Sequence, residues 1–98
     1  MNADVFRRSP RVLWRRSSQA LMLLPPGVDD VVTVAGPGIA VWELLDSWRS
    51  VDALTDLLSS RYQAQEAVIR ADVEALVERL ERLGALEAAA DSGHPSSG

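Results

Sequence analysis

Several residue types that often carry chemistry are absent or rare in this 98-residue chain. It has no cysteine, which excludes disulfide bonds and thiolate metal sites. It has no lysine either, and its single histidine, His94, lies in a small, polar C-terminal segment. No apolar run approaches the roughly 18 residues of a membrane span, and the N-terminal "MNADVFRRSP" lacks the apolar segment of a signal peptide. These absences favour a cytoplasmic protein without membrane contacts.

Motifs of catalysis and of cofactor binding are missing as well. The chain contains no G-x-S-x-G and no phosphate-binding glycine loop, and Val41 stands where a G-x-G-x-x-G beginning at Gly36 would need its third glycine. We interpret the Gly-Pro-Gly stretch at 36–38 as a tight strand-to-helix turn. The carboxylates of the last predicted helix alternate with arginines, which is typical of a solvated helix face; they are Glu74, Glu78 and Glu81. We expect no enzyme, no cofactor and no metal.

Charge is distributed unevenly along the chain. The formal net charge is −4. Residues 1–42 carry five arginines and three acids (+2), whereas residues 43–98 carry five arginines and eleven acids (−6). A protein that neutralises nucleic-acid phosphates is normally basic, so general nucleic-acid binding is disfavoured and no nucleic-acid partner is expected.

The order of the predicted elements is three strands followed by three helices. The hydrophobic content of 47% is that of a folded chain. Strand-like runs are "RVLWRRS" and "ALMLLPP", which form a plausible hairpin, and then "VVTVA" at residues 31–35. Helical patterns follow from near Pro37 to Trp48, then in "SVDALTDLLSSRY" and in "QEAVIRADVEALVERLERLGAL". Strands that precede helices predict an α+β fold with an antiparallel sheet (βββααα).

The helices carry their own start, stop and packing signals. Pro37 suits the first helical position, Ser50 or Asp52 is a suitable N-cap, and Gly84 a suitable C-cap. Trp42 lies on the apolar face of the first helix, so we expect it in the core. In the last helix the spacing of 4, 3, 4 and 3 residues predicts a core seam of Ile69, Val73, Leu76, Leu80 and Leu83.

These patterns divide the chain into three parts. Residues 1–10 are predicted to be a flexible N-terminal arm that ends at Pro10, and residues 11–87 a single domain. Residues 88–98, "AAADSGHPSSG", are predicted to be a disordered tail because they are small and polar.

From Arg11 to Leu86 the chain resembles the PqqD-like proteins, which are the precursor recognition elements of ribosomally made, post-translationally modified peptide (RiPP) pathways. The resemblance rests on the order and spacing of "VLWR", "AVWELLDSWRSVDALTDLLSSRY" and "VIRADVEALVERLERLGALE". It departs from the family pattern at Val34-Ala35, where the family often has Leu-Asn, and at Ser47, where the family usually has glycine.

The resemblance implies a winged helix-turn-helix-like, non-catalytic adaptor that binds the leader region of a precursor peptide. In such proteins the leader adds as an antiparallel strand to the third strand, and its side chains enter a groove beside the third helix. Here "VVTVA" contains no proline and no charge, so its edge is open to pairing. The expected peptide-binding residues are Val31, Val32, Thr33, Val34, Ala35, Val68, Asp72, Ala75, Leu76, Arg79, Arg82 and Leu83.

The implied partners are the precursor peptide and a modifying enzyme or leader peptidase of the same pathway, with lasso peptide, radical-chemistry and cyclising pathways all open. Two alternatives remain at this point. One is a winged-helix DNA-binding regulator, which the arginines between residues 7 and 16 support and the acidic second and third helices oppose. The other is a structural homo-oligomer, in which the open edge pairs with a second copy. A monomer and an edge-swapped homodimer are both compatible with leader binding.

Overall fold

The computed structural model of the chain describes residues 4–27 and 29–90. The elements run, in chain order, β1 (Val5–Arg8), β2 (Leu13–Arg16), β3 (Ala20–Leu24), β4 (Val32–Ala35), α1 (Pro37–Leu44), β5 (Arg49–Ser50), α2 (Val51–Ser59), α3 (Glu66–Arg82) and β6 (Leu86–Ala89). The three predicted strands correspond to β2, β3 and β4, and the three predicted helices to α1, α2 and α3. The predicted α+β class and the order of sheet before helices are therefore confirmed.

The strands form two antiparallel sheets of three strands each. One has the order β2-β3-β4, with Leu21 opposite Val34 and Leu23 opposite Val32. The other has the order β5-β1-β6, with Phe6 opposite both Arg49 and Ala88. The first sheet is the one that the sequence pattern predicts, and the second joins the two ends of the domain.

Local sequence explains where the helices begin. Gly36 has φ 63° and ψ −141°, a backbone conformation that is essentially restricted to glycine, and Pro37 then occupies the first helical position. Helix α2 begins after Ser50, whose Oγ accepts a hydrogen bond of 3.0 Å from the Ala53 N–H. Of the two predicted N-caps, Ser50 is therefore the correct one.

The end of α3 is a Schellman motif. Gly84 has φ 74°, its N–H donates to the Glu81 carbonyl at 3.0 Å, and the Ala85 N–H donates to the Leu80 carbonyl at 2.9 Å. This arrangement reverses the chain and leads directly into β6. Gly84 therefore ends the helix, as predicted, but it stands one position after the C-cap residue Leu83.

The hydrophobic core lies between the inner face of the β2–β3–β4 sheet and the helices. Leu21, Leu23 and Trp42 are completely buried. Trp42 meets Trp14 of β2 edge to face, with 6.0 Å between the ring centroids. The predicted core position of Trp42 is confirmed, and its contact with Trp14 shows that the even-numbered residues of β2 face the helices.

The contact between α2 and α3 includes an ion pair at their exposed margin. Arg70 of α3 donates a hydrogen bond to Asp52 in the first turn of α2 and lies 3.6 Å from Glu66 one helical turn earlier. The hydrogen bond to Asp52 raises the pKa of the Arg70 guanidinium. The other face of α3 bounds the candidate site.

The predicted flexible arm is wrong for residues 5–8. These residues form β1, which pairs with β6 over four residue pairs and with β5. Phe6 is buried, and Arg7 forms a 2.6 Å ion pair with Glu87. The predicted disordered tail is likewise wrong at Ala88 and Ala89, which belong to β6. The rest of the predicted tail, 91–98 with His94, lies outside the described residues.

Two further expectations about packing need correction. Helix α1 ends at Leu44, so Trp48 lies beyond it, is partly exposed and carries the Arg7 guanidinium 4.8 Å from its ring centroid. In α3, Val77 is buried, whereas Leu76 and Leu83 are only half-buried. The buried seam of α3 therefore consists of Ile69, Val73, Val77 and Leu80.

Among the described helices, none combines the length and the apolar composition that crossing a bilayer requires.

Candidate functional site

Strand β4 is an edge of its sheet. It pairs with β3 along Val32–Ala35, and within residues 4–27 and 29–90 no strand pairs with its other side. The strand contains no proline and no charged residue. An edge of this kind offers unpaired backbone N–H and C=O groups to another chain.

The alternation of an antiparallel sheet determines which backbone groups of β4 are free. The β2–β3 hairpin closes with a 2.8 Å hydrogen bond from the Ser17 N–H to the Ala20 carbonyl. Because hydrogen-bonded pairs alternate along the ladder, the backbone groups of Leu21 and Leu23 then point away from β2 and towards β4. Their partners are Val34 and Val32.

It follows that Val32 and Val34 use their backbone groups to hold β4 in the sheet. Thr33 and Ala35, one position out of phase, direct their N–H and C=O groups to the free edge. The side chains alternate as well. The side chain of Val34 is buried on the helix side of the sheet, whereas the side chains of Thr33 and Ala35 are exposed. The edge therefore presents its backbone to a partner while its inward side chains remain in the core.

Strand β4 and helix α3 approach each other at the start of α1, and we call the surface between the β4 edge and α3 the groove. At the start of α1, a Cβ atom placed on Gly38 would lie 2.5 Å from Val34 Cγ1 and 3.2 Å from Leu76 Cδ2. The absence of a side chain at Gly38 thus lets β4, α1 and α3 meet closely. The half-buried Val32 and Leu76 both pack against the hydrophobic core.

The predicted residues of α3 share one face of the helix. Their spacing of three and four residues places them on a continuous stripe; they are Val68, Asp72, Ala75, Leu76, Arg79, Arg82 and Leu83. Leu76 and Leu83 are half-buried, and the others are exposed. Because Leu76 is the member that approaches Gly38, this stripe forms the α3 side of the groove.

A cavity of about 320 Å³ lies at the end of the groove near the first half of α3. Its walls come from three helices and the loop after α2, and they are mainly apolar: Pro37, Gly38, Val41, Leu58, Tyr62, Gln63, Ala64, Val68, Ile69, Asp72, Val73 and Leu76. Gly38 and Leu76 belong to both the groove and the cavity, so the two are continuous. A cavity of this size and lining suits an apolar or aromatic side chain.

The charges of the stripe are not equivalent. Asp72 lines the cavity. Arg82 is engaged by Glu78 one turn earlier at 3.3 Å, whereas Arg79 makes no ion pair with any residue in the described part of the chain. Arg79 is therefore the more available cation for a bound ligand.

Across residues 4–27 and 29–90 no group of three acidic or histidine side chains comes together as a metal site.

The structure brings Val34 of the predicted strand and Leu76 of the predicted helix stripe together at Gly38, and the leader contacts of the other predicted residues stay a prediction. Val31 precedes β4 and is exposed, so it extends the edge without belonging to the ladder. Sequence reasoning missed Gly38 and included Tyr62 in the second helix, whereas Tyr62 follows α2 and lines the cavity. A glycine at the second position of a helix is itself a signal of close approach, but nothing local distinguishes Tyr62 from a core residue.

The fold and the groove define the class of protein: a small α+β domain with an open strand edge beside a helix. The family model described as coenzyme PQQ synthesis protein D (PqqD) matches residues 20–86. This range extends from β3 to the start of β6 and includes the whole candidate site. The chain belongs to the PqqD family.

Solved structures agree with this assignment. The chain is similar to TbiB1 in complex with the TbiA(β) leader peptide, at 19% identity over 87% of this chain and 99% of that one, with a TM-score of 0.74; at this identity the match shows a shared fold. It is also similar to the PqqD truncation of Methylobacterium extorquens PqqCD, described as a functional and stand-alone RiPP recognition element. That match has 26% identity, covers 85% of this chain and 88% of the other, and has a TM-score of 0.69. No curated protein sequence matches the chain significantly.

Proposed function

We propose that this protein is a non-catalytic adaptor of RiPP biosynthesis that binds the leader region of a precursor peptide. The leader adds to the free edge of β4 as a fourth, antiparallel strand, and the adaptor presents the precursor to a modifying enzyme or leader peptidase. The observation that carries the proposal is the uncharged, proline-free β4 edge beside the α3 groove in a member of the PqqD family. The leader peptide bound to TbiB1, which has the same fold, supports it.

Strand addition alone does not supply the affinity that such an adaptor needs. Thr33 and Ala35 offer up to four backbone hydrogen bonds, each with a net contribution of about 0.5–1.5 kcal/mol. Their total of about 2–6 kcal/mol is below the ~8 kcal/mol of a micromolar complex, even before the entropy cost of association. At least one leader side chain must therefore be buried in the groove or the cavity, where an apolar side chain contributes about 1.5–3 kcal/mol.

The residues proposed to contact the leader fall into two sets with different roles. Of the strand residues Val31–Ala35, Thr33 and Ala35 supply register through their outward backbone groups, while Val32 and Val34 hold β4 in the sheet. The α3 stripe supplies selectivity: Val68, Ala75, Leu76 and Leu83 receive apolar groups, while Asp72, Arg79 and Arg82 discriminate by charge.

The structure does not favour the DNA-binding alternative. On α3 the exposed charges are five acids and two arginines, since Arg70 is half-buried and paired with Asp52. A recognition helix of this composition repels the phosphate backbone. A duplex DNA titration is nevertheless a direct control, because a salt-sensitive gel shift would contradict the adaptor proposal.

The test is fluorescence polarisation with a fluorescein-labelled leader of the precursor that is encoded beside this chain. We expect saturable binding, and no saturable binding up to about 100 µM, which corresponds to about 5.5 kcal/mol, would refute the proposal. Hydrogen exchange on the same complex locates the site: the Thr33 and Ala35 amides should gain protection on leader binding. Protection confined to amides of β2 or β6 would show that the leader uses a different edge.

A further inference from the structure

The outer face of the β2–β3–β4 sheet carries an exposed apolar cluster, of which the proposed leader site includes only Val31. The strand alternation that turns Trp14, Leu21 and Val34 inwards turns their neighbours outwards. Leu13 is 68% exposed, Met22 is 37% exposed, and Val31, just before β4, is 56% exposed. Together with Trp14, Arg15, Leu23 and Leu24 these residues line one shallow depression. We call the outward-facing members, Leu13, Arg15, Met22, Leu24 and Val31, the outer patch.

This composition is unusual for a sheet face in contact with water. In an antiparallel sheet with one buried face, the other face is normally polar. Here Leu13 lies directly opposite Leu24, and Met22 lies between Arg15 and Thr33. Clustered apolar side chains of this kind mark an interaction surface rather than a solvated one.

The outer patch has a charge pattern that points to a different protein as its partner. Arg15 lines the patch and makes no ion pair within residues 4–27 and 29–90. A two-fold dimer would place the same patch against itself, and so bring two Arg15 guanidinium groups into one interface whose described lining contains no acidic residue. A partner that presents an apolar surface with a carboxylate at its centre complements the patch in both respects.

The position of the patch relative to the leader suggests which partner this is. This step rests on the proposed function. A leader that pairs antiparallel with β4 begins near Ala35 and ends near Val31. The segment to be modified follows the leader in the precursor, so it leaves the adaptor at the Val31 end. Val31 also lines the outer patch.

We infer that the outer patch docks the enzyme that acts on the bound precursor, and that it does so through apolar contacts and a carboxylate that pairs with Arg15. The leader edge holds the precursor while the patch, on the outer face of the same sheet, holds the enzyme where the emerging segment reaches it. The geometry raises the effective concentration of that segment at the enzyme without a contact between the enzyme and the leader groove.

The test uses the double variant Leu13→Ser/Met22→Ser and the variant Arg15→Glu, all at exposed positions. Trp48→Ser, which alters an exposed aromatic outside both surfaces, is the matched control. For each protein, leader affinity is measured by fluorescence polarisation. Processing of the full precursor by the purified modifying enzyme or leader peptidase encoded beside the chain is measured as kcat/KM, and sedimentation velocity gives the oligomeric state of the chain alone.

We expect leader affinity within about twofold of the wild type for all variants, and a loss of kcat/KM of about tenfold or more for the two patch variants only. Unchanged processing with intact leader binding would overturn the docking inference alone. A wild-type dimer that the patch variants dissociate would assign the patch to a second copy and also overturn it. An absence of leader binding by the wild-type protein would instead refute the proposed function.

Discussion

Strands β2 and β4 are the two edges of one sheet, and they differ in how open they are to another strand. Both expose backbone groups to one side, but β2 carries Arg15 and Arg16, one on each face, and Arg16 forms an ion pair with Glu43 of α1. Charged side chains on an edge strand hinder further pairing. Strand β4 has no charge and adjoins the groove at Gly38. The β2 edge therefore carries charged side chains that hinder pairing, whereas the β4 edge carries none. We call β2 the guarded edge and β4 the receptive edge of this sheet.

The largest effect is expected when a side chain is added at Gly38, where α1 packs closely against Val34 of β4. In Gly38→Val, the Cβ atom meets Val34 Cγ1 at 2.5 Å and the two further methyl groups enlarge the overlap. Overpacking of this kind costs about 1–3 kcal/mol, which we expect as a lower free energy of unfolding in urea denaturation, together with weaker leader binding. In a Val34→Ala background the same change should cost less, because the overlapping methyl group is gone. Equal costs in both backgrounds would contradict the packing of Gly38 against β4.

The second prediction compares one free backbone donor on each edge. Thr33→Pro removes an outward N–H from β4 without breaking the bonds that Val32 and Val34 make to β3. We expect leader affinity to fall by about tenfold or more, measured by fluorescence polarisation, because a lost hydrogen bond and a displaced strand together cost at least ~1.4 kcal/mol.

Arg16→Pro is the matched control for Thr33→Pro, because Arg16 stands opposite Leu21 and likewise directs its N–H outwards from β2. Its exposed ion pair with Glu43 contributes only about 0–1 kcal/mol. Leader affinity should not change in this variant. Equal losses in the two proline variants would mean that the two edges do not differ in leader binding.

A smaller effect is expected from the charges of the groove. Arg79→Ala should weaken leader binding about two- to fivefold at low salt, and the difference from the wild type should shrink at 0.5 M NaCl as screening increases. Arg82→Ala should change the affinity less, because Glu78 already engages Arg82. A larger loss for Arg82→Ala, or a loss independent of salt, would contradict an ionic contact at Arg79.

The smallest effect is expected when the guarded edge is made to resemble the receptive one. Arg15→Thr/Arg16→Thr gives β2 an uncharged edge, so we expect weak, concentration-dependent self-association in sedimentation velocity, with unchanged leader affinity. The single variant Arg7→Thr, which alters a charge in the other sheet, should remain at the oligomeric state of the wild type. Stronger leader binding by the double variant would show that the leader uses both edges.

Local sequence signals predicted much of the fold because they report local interactions. Ser50 and Gly84 mark helix ends through hydrogen bonds that span three to five residues. The apolar run of β3 predicts a strand but not its buried face, and the structure buries Leu21 and Leu23 while Met22 is exposed. The candidate site was predictable in outline for a similar reason, since an uncharged strand and a regular helical stripe are both visible in the sequence.

The remaining features depend on contacts between residues far apart in the chain. Arg7 and Glu87 are 80 positions apart, and nothing in either segment identifies the other as its partner. The choice between Leu76 and Val77 as the buried residue of α3 depends on a small rotation of the helix, which follows from how α3 packs on α1 and α2. Tyr62 is a large aromatic residue, so the sequence alone does not distinguish it from a core residue. It lines the cavity because α2 ends before it.

For this protein, the sequence by itself determined strands β2–β4, the three helices and their caps, the absence of catalytic motifs and the uncharged character of the strand at 31–35, because propensity, periodicity and charge are local properties. The tertiary structure alone decided that this strand lies at an edge, that Gly38 sets it against α3, and that the terminal segments close into a second sheet. These are pairings across long stretches of chain, and they form only when the helices and both sheets bury their apolar faces together.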